Sequence, residues 1–353
     1  MNTSCLLAVM VGGNMSQIFG LVTLGRLDMR FSKIHLLESQ EKAYFLDGIK
    51  ELYNTIQKDN SILITRKIVT NRRIKSYLVR KLVSVPCLFG LKFRLWNNRK
   101  VNFAALISGD FSVLIPHAFY SQLNFVYMHD VWPRFQYWIF PLLDLFNIRH
   151  VFFSSKQVWA DHLKKFPKSR CQSMWLPEGI DANEYSFRPY HEKKIDVLEF
   201  GRRYEKYHLL IKDRLGANSK YHVYKHKESD LLFQEKSDLV EALAGAKIVI
   251  CTPSNITHPE RSEYISSMTL RYLQAMASKC LIVGITPLDM QELFDYQTIV
   301  EIDMENAAEQ LLEVLSNYDS YFPLIERNYL EVRKNHQWIN RWDIIKQKIE
   351  EVK

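Results

Sequence analysis

No apolar run in this 353-residue chain reaches the ~18–20 residues that a membrane-crossing helix needs. The five cysteines (Cys5, Cys87, Cys171, Cys251, Cys280) are scattered, without the paired spacing of a metal site. Cys251 and Cys280 sit in or beside apolar runs, so free, buried thiols in a reducing compartment are expected. No internal repeat or low-complexity segment stands out. The apolar start Met1–Val11 has no charged region before it and no small-residue cleavage site, and reads as a first β-strand rather than a signal peptide. Residues 60–109 lack aspartate and glutamate altogether while holding 11 lysines and arginines.

What is present is enough for two ordinary domains, with 47% hydrophobic residues to fill their cores. The net charge of +8 divides unevenly: residues 1–190 carry 25 basic and 13 acidic side chains, residues 191–353 carry 22 and 26. Such asymmetry suggests that one half faces an anionic surface. Apolar runs at Leu6–Val11, Ile34–Leu37, Ile62–Thr65, Val101–Ile107, Phe111–Ile115, Phe125–Met128 and Val151–Ser154 are separated by helix-length segments such as Glu41–Gln57 and Gln157–Phe166. A second series follows at Ile195–Phe200, Tyr221–Tyr224, Ile248–Cys251, Leu281–Val283 and Ile299–Ile302. Its helices are placed near Lys236–Ala244, Leu270–Ala277, Met290–Asp295 and Glu305–Ser316. This alternation predicts two α/β units in tandem, joined near the polar stretch Asn183–Lys194. Gln337–Val352 reads as an amphipathic helix with Trp338, Ile339, Trp342, Ile345 and Ile349 on its apolar side.

Five constellations have chemical potential. In the first, Gly201 follows a strand, where glycine lets backbone approach a ligand, and Arg202 and Lys206 beyond it can clamp a diphosphate. The alternative is a strand-to-loop turn with solvated charges. Second, Thr269 and Arg271 open a helix beside the hydroxyls of Ser266 and Ser267, with Ser254 after the preceding strand. A helix N-terminus with such neighbours suits an anion, though the same helix, with Gln274, Ala275 and Ala277, also reads as an ordinary packed one. Third, His129-Asp130 ends an apolar strand and could orient or deprotonate a hydroxyl; a packed histidine and a turn-capping aspartate are the alternative. Fourth, in Pro177-Glu178-Gly179-Ile180-Asp181, Gly179 reads as a turn residue and Glu178 and Asp181 as hinge contacts. Fifth, Asn71–Val83 forms a basic amphipathic helix with Ile74, Tyr77, Leu78 and Leu82 on one face. It suits an anionic membrane surface or, less well, nucleic acid, since no nucleic-acid fold signature accompanies it; a solvated helix face explains it as simply. Gly12-Gly13-Asn14 reads as a strand-to-helix turn or a phosphate loop.

The order of these motifs resembles that of GT-B glycosyltransferases of the family 4-like type. The segment Thr269, Arg271, Gln274, Ala275, Ala277 holds the register of their donor-binding pattern, and Gly201-Arg202 that of the motif opening their second domain. The resemblance implies two Rossmann-like domains facing a central cleft: residues 1–188 binding acceptor, residues 189–334 binding a nucleotide sugar. The helix at 335–353 would cross back to the first domain. It implies donor contacts at Gly201, Arg202, Lys206, Ser254, Ser267, Thr269, Arg271 and Gln274, and chemistry at His129, Asp130 and Glu263. Ser266 and Gln274 stand where many retaining members carry glutamates, and Glu263 is the nearby substitute for the first. No permanent cofactor and no metal is expected; the nucleotide sugar is a co-substrate. The implied function is sugar transfer to a glycan or lipid-linked glycan in cell-surface polysaccharide, lipopolysaccharide or glycoconjugate synthesis. The enzyme would be cytoplasmic, held at the inner face of the membrane through its basic region 66–100. The alternative is a non-catalytic module of the same fold binding glycan, lipid or a partner.

Overall fold

Eleven parallel strands account for both sheets in the computed structural model, which describes residues 33–39, 47–70, 72–83, 98–216, 222–223, 232–233 and 235–352. These residues belong to one compact unit, Phe31–Lys353. The first sheet contains β1 (Lys33–Ser39), β2 (Leu63–Val69), β3 (Asn98–Ile107), β4 (Ser121–His129), β5 (Ile148–Phe153) and β6 (Gln172–Trp175), in the order β2-β1-β3-β4-β5-β6. The second contains β7 (Ile195–Leu198), β8 (His222–Val223), β9 (Ala246–Cys251), β10 (Leu281–Gly284) and β11 (Val300–Glu301), in the order β11-β10-β9-β7-β8. The two orders are the same topology: the chain moves one way from the first strand of each sheet, then crosses back and continues the other way. The crossover leaves a switch point between β1 and β3 and another between β7 and β9. In open parallel sheets ligands lodge outside the carboxyl ends of the strands at such points.

The strands read as near-continuous apolar runs because both faces of each sheet are covered. In the first sheet, Phe103, Phe125, Tyr127 and Phe152 face one layer of helices, and Ala104, Val126, Met128 and Phe153 face the other. The second sheet divides likewise, with Leu198, Val249, Cys251 and Ile282 on one face and Val197, Ile248, Ile250 and Val283 on the other. Cys171, Cys251 and Cys280 are free and buried; Cys5 and Cys87 lie outside the described residues, as do the Leu6–Val11 strand and the Gly12-Gly13-Asn14 loop. So does Val83–Trp96, apart from its first residue.

The helix Trp338–Glu351 joins the first sheet's core rather than the second's. Trp338, Trp342, Ile345 and Ile349 are buried among Phe103, Tyr127 and Phe152. Positions three and four apart lie on one helix face, and a capping box between Gln337 and Asn340 fixes where the helix starts. Ile339 is a correction to the apolar face read from sequence: it lies off that stripe and is exposed. One other expectation changes. Phe111–Leu114 is a short 3-10 turn capped by Asp110, not a strand, because the carboxylate accepts the Ser112 N–H and closes the turn. The helix at Arg72–Val83 forms where expected, with Ile74, Tyr77 and Leu78 exposed and Val79 buried. Helices at Pro133–Leu145 and Phe322–Asn335 are additional; each starts with proline in its first turn, where a missing N–H costs nothing.

Candidate functional site

A cleft of about 1530 Å³ opens where the two switch points face each other. The first sheet contributes the ends of β1 and β3 (Glu38, Ser39, Ile107, Ser108) and the end of β4 with the residues beyond it (Met128 to Trp132). The second contributes the segment after β7 (Phe200 to Lys206), Ser254 and Thr257 after β9, and Ser267 to Arg271 at the start of the helix Leu270–Ala277. Of the residues singled out in sequence, His129, Asp130, Gly201, Arg202, Lys206, Ser254, Ser267, Thr269 and Arg271 all line this one space.

The wall from the second sheet is cationic. Gly201 has φ of 70°, a left-handed conformation that glycine adopts without strain. Its turn carries Arg202 into the cleft wall, where guanidinium Nη1 is buried with no hydrogen-bond partner in the protein. Burial lowers the Arg202 pKa; Asp130 opposes that shift, while Arg271 and Arg261 add to it. Thr269 is the N-cap of the Leu270 helix but makes no capping bond, and its Oγ1 is likewise buried without a partner. A cation short of acceptors beside an uncapped helix N-terminus is an arrangement that an anion completes.

Arg271, which lines the cleft, also braces the backbone. Its Nη1 donates to the carbonyls of Phe200 at 3.1 Å and Arg202 at 2.7 Å, and its Nη2 to that of Thr252 at 3.1 Å. It therefore ties the chain after β7 to the chain after β9 across the switch point, and holds Arg202 in place.

Two expected site residues lie outside the cleft lining. Gln274, one helical turn beyond Arg271, is buried and donates from Nε2 to the Tyr185 hydroxyl at 3.0 Å. That hydroxyl donates to Glu51 at 3.2 Å, and Glu51 also accepts from Lys236 Nζ at 2.6 Å and the Asp181 N–H at 2.9 Å. Gln274 thus belongs to a buried polar cluster joining the two sheets' helices, in which burial raises the Glu51 pKa. Glu263 is exposed, at a backbone φ of 50°. Ser266, too, is turned away: its N–H donates to Gln157 Oε1 at 2.6 Å, part of a second link between the halves. There Asp289 Oδ1 accepts the Lys156 N–H at 3.1 Å, and burial pushes the Asp289 carboxyl up to about 6.

The wall from the first sheet is acidic and aromatic. His129 ends β4, and its Nδ1 lies 3.0 Å from Glu178 Oε1. Asp130 follows at φ 54°. Its carboxyl stays accessible from the cleft, yet the protein crowding it, and then the charge of Glu178, raise its pKa. Arg261 reaches from the facing wall to within 4.0 Å of Asp130 and lies over the Trp132 ring. Glu178, expected as a hinge contact, and Arg261 also line the cleft. Arg261 sits in no recognisable motif. Gly179 is also placed differently from a turn residue: a Cβ there would lie 2.9 Å from the Trp338 nitrogen, so the close passage of the Trp338 helix requires glycine. Among the described residues no cluster of His, Cys, Asp and Glu suits a metal ion.

Residues 191–347 match a family model described as glycosyl transferase-like. Similar solved structures include the Anabaena protein HepE in complex with UDP and glucose, with a TM-score of 0.58 and 10% identity over 91% of this chain and 100% of that one. They also include sucrose-phosphate synthase from Thermosynechococcus elongatus, with a TM-score of 0.58 and 12% identity over 91% and 99%. A glycosyltransferase from Rickettsia africae gives a TM-score of 0.54 and 11% identity over 92% and 100%. Among curated protein sequences no relative matches. The fold is GT-B: two Rossmann-like units with a cleft between them. The second unit, with the cationic wall, lies within the matched segment.

Proposed function

We propose that this chain transfers a sugar from a nucleotide-sugar donor to a hydroxyl of a glycan or lipid-linked glycan. The observation that carries the reading is Arg202, a guanidinium with a buried, unpartnered Nη1 beside the open N-terminus of the Leu270 helix. Departure of a nucleoside diphosphate builds negative charge on its terminal oxygens, and fixed cations and N–H dipoles in a partly dry site stabilise that charge. The UDP complex of HepE supports a nucleotide as the anion. In this reading the unit with the second sheet holds the donor, through Gly201, Arg202, Lys206, Ser254, Ser267 and Thr269. The unit with the first sheet receives the acceptor near His129 and Asp130. Arg261 adds a second cation over the cleft, and Arg271, at the cleft lining, positions Arg202.

We further propose that the acceptor is met at an anionic membrane face during cell-surface polysaccharide or glycoconjugate synthesis. No helix among the described residues is long and apolar enough to cross a membrane. Ile68, Ile74, Tyr77 and Leu78 are exposed, and Lys67 and Lys75 both lie close enough to His117 to lower its pKa, burial being the larger cause. Exposed apolar side chains on elements that also carry lysines suit the boundary between headgroups and acyl chains.

Thermal stabilisation by UDP, GDP, ADP, CMP and TDP tests the first reading. Stabilisation by one of them, lost in Arg202→Ala, supports a live donor site and identifies the base. No shift with any of them turns the reading to a non-catalytic module of the same fold. Sedimentation with phosphatidylglycerol vesicles against phosphatidylcholine vesicles tests the second.

A further inference from the structure

The pairing of His129 goes beyond what the donor wall requires. Its Nδ1 lies 3.0 Å from Glu178 Oε1, while its Nε2 is buried with no partner in the protein. Glu178 is held from several sides. Arg341, buried on the Trp338 helix, donates from Nε to the Pro177 carbonyl at 2.9 Å and from Nη2 to the Glu178 carbonyl at 3.4 Å. The Tyr127 hydroxyl, two residues before His129 on β4, donates to the Leu176 carbonyl at 2.9 Å. The loop that supplies the carboxylate is therefore fixed to the strand that supplies the imidazole.

A neutral imidazole carries one N–H. Placed on Nε2, that proton is a buried donor without an acceptor, and the Nδ1 lone pair meets a carboxylate oxygen. Placed on Nδ1, it donates to Glu178 and leaves Nε2 bare. The partner of one ring nitrogen sets the state of the other. We propose that Glu178 is a positioning residue: it holds His129 in the Nδ1–H form, so that Nε2 is the proton acceptor for a substrate hydroxyl. Its role in transfer rests on reading the cleft as a transferase site; the tautomer does not. In the step, the acceptor oxygen bonds to the anomeric carbon as its O–H bond breaks. The bond from that carbon to the diphosphate oxygen breaks, its electron pair leaving with the diphosphate. The proton ends on Nε2, and Glu178 faces the imidazolium so formed.

The test is ¹⁵N NMR of histidine-labelled protein at pH 8, with His129→Gln assigning the signals. The wild type is expected to show His129 as the single Nδ1–H form, and Glu178→Ala to lose that preference. An Nε2–H form in the wild type overturns the proposal, and this reading needs no variant to fold. An unchanged spectrum in a folded Glu178→Ala protein overturns it too. In transfer assays Glu178→Ala is expected to lower kcat about 100-fold, in the range of general-base effects, with KM changed less than about threefold; a loss confined to KM would count against it. The spectrum is read without nucleotide. Failure of the transferase reading therefore shows in the nucleotide titration, and failure of this one in the tautomer.

Discussion

The two walls of the cleft come from sheets of the same strand order, yet their chemistry is opposite. The wall after β7 and β9 presents Arg202, Lys206 and Arg261 around an open helix N-terminus. The wall after β4 and β6 presents His129, Asp130 and Glu178. One topology used twice places two switch points face to face, and the side chains at the strand ends then decide which partner of a reaction each can receive. In the proposed transfer, cations suit the group that departs with negative charge, and carboxylates and an imidazole suit the hydroxyl that must lose a proton.

The largest expected effect breaks this comparison outright. Arg202→Ala should lower kcat/KM about 1000-fold, equivalent to about 4 kcal/mol of transition-state stabilisation, with little change in unfolding midpoint. Steady-state kinetics beside a urea titration check it; near-normal turnover in a folded variant would take Arg202 out of the site. Arg271→Ala sharpens the comparison, because this arginine serves the architecture. Losing three bonds to the Phe200, Arg202 and Thr252 carbonyls should cost about 2–3 kcal/mol of stability, seen as a shifted urea midpoint. A variant of unchanged stability would show that the strand ends hold without it.

Asp289 gives a smaller, pH-dependent effect at the link between the halves. Burial raises its folded-state pKa to about 6, above the ordinary 3.8. Between these values the folded state binds more protons than the unfolded chain, so this carboxyl's contribution falls as pH rises from about 4 to 6 and stays low above that. Asp289→Asn should therefore be more stable than wild type by about 1–2 kcal/mol at pH 7 and equal to it at pH 4. Unfolding titrations at the two values check this, and a difference of the same size at both would contradict it. The smallest effect concerns Gln274. Gln274→Leu should leave nucleotide affinity within about twofold while costing about 1 kcal/mol of stability, through the lost bond to Tyr185. Isothermal titration beside urea unfolding separates the two, and a tenfold loss of affinity would return Gln274 to the donor site.

The alternation of apolar runs with helix-length segments made both α/β units legible, because strands buried on both faces leave dense apolar signatures. His129, Gly201, Arg202 and Thr269 were legible for a related reason: each sits where a strand ends or a helix begins, and chain punctuation marks those places. Directions were harder to read. Gln274 lies one turn past Arg271, and helix phase carries it to Tyr185 instead of the cleft. Arg271 was identifiable as a cation at the site, but its bonds to three carbonyls depend on how closely β7 and β9 end beside it. Glu178 became part of the site only through residues far along the chain: Arg341 holds its loop from a helix 163 positions away.

That helix also ties the two ends of the described chain together. Trp342 donates from its indole N–H to Asp59 at 2.8 Å, across a separation of 283 residues. The core of the first sheet is complete only once the Trp338 helix covers Phe103, Tyr127 and Phe152. Its partner unit, built from β7 to β11, draws on residues much nearer in sequence. Until the Trp338 helix docks, the loop that carries Glu178 lacks the hold of Arg341.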